Sequence, residues 1–132
     1  MESISIQVSG KGGHAEGSEA HNEFRQILSL KESEEFPYRF DGFKDGVAYE
    51  LDWGSGGNEI YKDFFKVLYY RVVADRPVRK LAYFVREIYP DEVFNGFGYA
   101  SREAERMRPI LVSQGIELEV VPVKRLVRDV LE

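Results

Sequence analysis

The side chains best placed to do chemistry lie in the segment Phe40-Asp-Gly-Phe-Lys-Asp-Gly-Val-Ala-Tyr-Glu-Leu-Asp-Trp53. Glu50 and Asp52 are two positions apart, so on an extended strand they project from one face. Asp41 falls at the end of the strand that would pair with theirs. Three carboxylates brought within a few ångströms repel by about 1 to 4 kcal/mol per pair at partly exposed positions. Either they raise one another's pKa, or a hard cation such as Mg²⁺ sits among them. A plain solvated strand, with acids alternating against apolar residues, is the competing reading. Val47, Tyr49, Leu51 and Trp53 supply the opposite, apolar face, so the acids are expected to point to a cleft or to solvent. The glycines from Gly54 to Gly57 leave room for a phosphate to approach.

Positioning those acids requires a hairpin. Asp41-Gly42 and Asp45-Gly46 are both reversal signals, and they predict that Val47–Trp53 pairs antiparallel with a strand ending at Phe36, Tyr38 and Phe40. Asp45 takes the place of Asp41 in the cluster if the hairpin turn is placed differently. Upstream, Ile4, Ile6 and Val8 alternate as a strand. Gly10–Gly17 reads as a flexible loop, and Ser18 caps a helix over Glu19–Leu30. Downstream, Asn58 caps a helix over 59–74 with Ile60, Phe64, Val67, Leu68 and Val72 on one face. The run Leu81–Val85 reads as a strand buried on both faces. Residues 87–98 read as a loop, Ala100–Gln114 as a helix stopped by Gly115, Ile116–Val120 as a strand and Val123–Leu131 as a terminal helix. The order predicts one α/β domain over 1–132, a mixed five-stranded sheet flanked by helices.

The 132 residues suit a single core; 43% are apolar and 31% charged, the balance of a globular chain. No apolar stretch approaches the roughly 20 residues of a membrane span, and Met1–Gln7 lacks a signal-peptide pattern, so a cytoplasmic location is expected. The chain has no cysteine, which removes thiolate nucleophiles and thiolate metal sites. The net charge of −5 hides a division: residues 1–66 carry seven basic and thirteen acidic side chains, residues 67–132 eleven and ten. Gly10-Lys-Gly-Gly lacks the upstream glycine and following Ser or Thr of a nucleotide loop. His14 and His21 match no metal spacing and read as surface residues. Arg76, Arg79, Lys80, Lys124, Arg125 and Arg128 could meet phosphates or simply be solvated. Phe64, Phe65, Tyr69 and Tyr70 read as core or as a dimer interface.

An acid on one strand of a hairpin, Glu-x-acid on the next and then a helix resembles the PD-(D/E)XK nuclease superfamily. Ala48-Tyr-Glu-Leu-Asp-Trp53 followed by Lys62-Asp-Phe64 is similar to the BglII/BamHI type of restriction endonuclease. The resemblance covers residues 18–86. It implies a restriction-endonuclease-like fold and Mg²⁺-dependent hydrolysis of DNA phosphodiester bonds, with Mn²⁺ as a substitute and a homodimer addressing two strands. It further implies that Asp41, Glu50 and the Leu51 carbonyl hold the metal, that Asp52 orients the attacking water, and that Glu23 on the first helix joins the catalytic set. A catalytically silent domain of the same fold, binding protein or nucleic acid, is the alternative.

Overall fold

The computed structural model describes residues 4–6, 13–30, 39–52, 60–87 and 96–125. In chain order these form β1 (Ile4–Ile6), α1 (Gly13–Ile27), β2 (Gly42–Lys44), β3 (Val47–Asp52), α2 (Ile60–Leu68) continued by a π-helical turn (Tyr69–Val73), β4 (Lys80–Arg86), α3 (Gly96–Ser113) and β5 (Glu117–Arg125). The result is an α/β mixed sheet. Strands β5, β4 and β3 run parallel, β2 is antiparallel at one edge, and the short β1 lies parallel to β5 at the other.

The hairpin fixes everything at the site. Asp45 and Gly46 both have positive φ, 55° and 78°, the paired left-handed conformation of a two-residue turn whose twist matches that of its strands. The strand ladder joins Lys44 to Val47, Phe43 to Ala48 and Gly42 to Tyr49, so one step further the chain sets Asp41 against Glu50. The strand that pairs with β3 thus lies beyond the Phe40 end expected for it. Its pairing segment is Gly42–Lys44, Arg39 and Phe40 precede it without regular structure, and 36–38 lie outside the described residues.

The two crossovers, β3-α2-β4 and β4-α3-β5, put both helices on one face of the sheet. There Ile60, Phe64 and Val67 of α2 and Ala100, Ala104 and Leu111 of α3 bury Ala48, Leu81, Tyr83, Val85 and Leu118. Helix α1 covers the other face, its Ala20 and Phe24 packed on Val47, Leu51, Ala82, Phe84, Val121 and Val123. Both faces of β3 and β4 are thus core, as the unbroken apolar run at Leu81–Val85 requires.

Three boundaries differ from the sequence reading. Helix α1 begins at Gly13, inside the segment read as a loop. Helix α3 starts at Gly96 and ends where Gly115, at φ 75°, lets Ile116 N donate to Leu111 O at 2.9 Å. Strand β5 continues through Val123–Arg125, replacing the start of the expected terminal helix; residues 126–132 lie outside the described residues.

Candidate active site

Helix α2 buries its Ile60, Phe64 and Val67 stripe, and that orientation carries Asp63 and Lys66 inward with it. Beneath them, Glu50 and Asp52 project from the same face of β3, at only 6% and 3% exposure. The acids therefore do not line an open cleft or a solvated strand, because the α2 crossover covers the face that the alternation pattern left unpartnered. Lys66 Nζ is 2.9 Å from Glu50 Oε1 and 3.2 Å from Asp63 Oδ1, and it also donates to Arg39 O at 2.9 Å.

Asp41 joins this group from the hairpin. Its backbone N–H donates to Glu50 Oε1 at 3.1 Å, and its Oδ2 accepts from Leu51 N at 2.7 Å. The side chain thereby takes over a strand N–H at the point where β2 pairing stops. Helix α1 reaches the same spot from the opposite face of the sheet. His21 Nε2 lies 2.9 Å from Leu51 O and 3.6 Å from Asp41 Oδ2, and Arg25 Nη1 lies 3.9 Å from Asp41 Oδ1. A carbonyl only accepts, so Nε2 of His21 carries a hydrogen. His21 is thus a partner of the site, not a surface residue.

Electrostatics follow from burial. Desolvation, with the Asp63 and Asp41 charges adding to it, holds Glu50 well above the usual carboxyl range. Burial also pushes Asp63 up to about 6, although its hydrogen bond with Glu50 and the Lys66 charge act the other way. Burial works against the Lys66 ammonium, but the two carboxylates outweigh it and hold its pKa above the ordinary value. Two buried carboxyl groups share one close ammonium, so the Glu50–Asp63 pair retains a proton or needs a further positive charge.

Of the residues singled out in the sequence, Asp41, Glu50 and Leu51 come together. Asp45 does not join them; it sits in the turn, where its carbonyl accepts from Arg79 Nε at 3.0 Å. Asp52 is on the Glu50 face and accepts from Tyr83 Oη at 2.8 Å. Glu23 is half-buried on α1, whose described contacts with Asp41 are made by His21 and Arg25. Sequence reasoning missed Asp63, Lys66, His21, Arg25 and Tyr83. The one signal available was in α2, where an acid and a lysine three apart fall within or beside the apolar stripe.

No family model, curated protein or solved structure matches the chain. The chemistry of the site must therefore stand on its geometry. Oxygen donors from Asp41, Glu50 and the Leu51 carbonyl suit a hard divalent cation, and the surplus negative charge favours one. Among the described residues, however, no three acidic or imidazole side chains surround a common point as metal ligands. Lys66 and His21 lie against the very oxygens a metal would use.

Proposed function

We propose that the chain is a Mg²⁺-dependent endonuclease with a restriction-endonuclease-like fold, hydrolysing DNA phosphodiester bonds at Asp41, Glu50 and Lys66. The observation that carries this reading is the meeting at Glu50 Oε1 of the Asp41 backbone N–H from the hairpin and the Lys66 ammonium from the following helix. The order helix, hairpin, helix, parallel strand supports it as well. Asp41, Glu50 and the Leu51 carbonyl are the groups that would hold the cation. When bound, Mg²⁺ supplies a water of lowered pKa and offsets negative charge on the scissile phosphate.

The remaining work falls to the chain. Lys66 gives the site a fixed positive charge in a partly dry setting, where it is worth more than in water. Asp52, anchored by Tyr83, accepts a hydrogen bond from the attacking water, and Glu23 adds a further acid from α1. His21 Nε2 donates to the Leu51 carbonyl and orients it, and that oxygen is one of the groups that would hold the cation.

The test is cleavage of supercoiled plasmid with Mg²⁺ or Mn²⁺. The wild-type chain is expected to nick, and Glu50→Gln and Asp41→Asn to lose at least about 100-fold of the rate. Wild-type rates in either variant would remove the assignment. The burial of Glu50 and the engagement of its oxygens by Lys66 favour a second reading, a catalytically silent module of the same fold. That reading predicts no cleavage with either metal and no heat of Mn²⁺ binding.

A further inference from the structure

An apolar pocket of about 130 Å³ lies beside the carboxylates, lined by Phe40, Phe43, Tyr70, Arg76, Pro77 and Val78. Phe40, Tyr70 and Val78 are almost fully buried and make its floor. Phe43 is half-buried, and the exposed Arg76 and Pro77 form its mouth. Its walls are aromatic: the Phe40 ring stacks on Phe43 at 6.0 Å between centroids and tilts against Tyr70 at 5.5 Å. The pocket and the carboxylate site share a wall. Phe40 immediately precedes Asp41, and Lys66 Nζ stands 5.5 Å from the Phe40 ring centre while touching Glu50.

The mouth is basic in a chain whose net charge is −5. Arg76 lines it, and exposed Arg39 and Arg79 flank Phe40 and Val78 in the chain. Asp75 precedes Arg76 in the chain and Asp45 meets Arg79 in the turn, two acids against three guanidinium groups. Aromatic walls with guanidinium groups at the rim match a flat ring attached to phosphates, the combination that binds single-stranded nucleic acid. In a duplex, both faces of a base are stacked and its edge is paired, so this pocket can take only a base that has left the stack.

We propose that the pocket receives one unpaired base of a DNA strand whose backbone runs over the basic mouth toward Asp41, making single-stranded or locally unpaired DNA the substrate class. The proposal rests on the nuclease reading for the phosphate, while the base pocket stands on its own lining. Arg76 contacts the neighbouring backbone, and Phe43 closes over the base.

The experiment uses the full chain in EDTA with a 2-aminopurine-labelled single-stranded deoxyoligonucleotide and the same strand in a duplex. A saturable fluorescence change with the single strand is expected, with the duplex bound at least about tenfold more weakly. Phe43→Ala and the surface variant Arg76→Glu are each expected to weaken single-strand binding about fivefold or more while melting cooperatively. Equal binding of duplex and single strand, or wild-type binding by both variants, overturns the proposal. So does displacement of the probe by benzoate at concentrations where free phosphate has no effect. Tight single-strand binding without Mn²⁺-dependent cleavage would sink the nuclease reading and keep the pocket. Equal cleavage rates on both substrates would keep the nuclease and sink the pocket.

Discussion

Lys66 is the residue on which the carboxylates depend. Its side chain is 17% exposed and bonds to two acids whose side chains are 8% and 6% exposed. Removing it by Lys66→Met leaves Glu50 and Asp63 without their ammonium, a loss of about 3 kcal/mol by the rule for broken buried pairs. Chemical denaturation should show that loss at pH 7, and Glu50→Gln in the same background should restore much of it. The acids have the opposite signature. Both have folded pKa values above those of free carboxyls, Asp63 reaching about 6, so protonation favours the folded state. The Asp63 share is complete below about pH 4 and declines as the pH rises through about 6, and the raised Glu50 pKa acts in the same direction. Urea midpoints across pH 4 to 7 should fall in that window, and Asp63→Asn should flatten the curve. Asp41 and Glu50 were legible in the sequence because one hairpin holds both, nine residues apart. Lys66, Asp63 and His21 were not, since separate helices deliver them and no spacing within the hairpin encodes that.

At the scale of elements, the two-residue turn sets the register that aligns Asp41 with Glu50. A Cβ on Gly46 would meet Pro77 O at 2.9 Å, in a backbone at φ +78°. Gly46→Ala should therefore cost about 1 to 3 kcal/mol and, by shifting the turn, lower cleavage as well. Gly115 offers a control: it shares the positive φ, 75°, but its nearest neighbour is the Arg71 guanidinium, a flexible end. Gly115→Ala should cost about 1 kcal/mol and leave cleavage intact, which urea titration and plasmid nicking together can separate. The hairpin, α2, β4 and α3 were readable from turn chemistry and apolar period. Of the alternation at Phe36, Tyr38 and Phe40, only Phe40 is among the described residues, and it is buried against Tyr70 and Phe43 outside the strand ladder. Pro122 continues β5 opposite Val85, next to Val123, where the described pairing with β1 starts, so the expected break between a strand ending at Val120 and a helix from Val123 does not occur.

The whole molecule shows why a net charge alone says little about partners. The acids that dominate residues 1–66 are partly gathered under α2, where Lys66 offsets them, while Arg39, Arg76 and Arg79 are exposed along one edge. An alternation pattern cannot reveal this, because it reports which residues share a strand face and not what a later crossover lays over it. If a divalent cation binds the folded site, folding and metal binding are linked, and the stability gained is about 2.7 kcal/mol at a metal concentration 100 times Kd. Mn²⁺ should therefore raise the melting temperature of the wild-type chain in a concentration-dependent way. The gain should vanish in Glu50→Gln, whose neutral amide is a poorer ligand, and in Asp41→Asn. It should survive in Arg76→Glu, which alters the basic edge alone. A melting temperature indifferent to Mn²⁺, or an equal rise in all four proteins, would mean that the Lys66 ammonium is the resident cation of this site and that no metal takes its place.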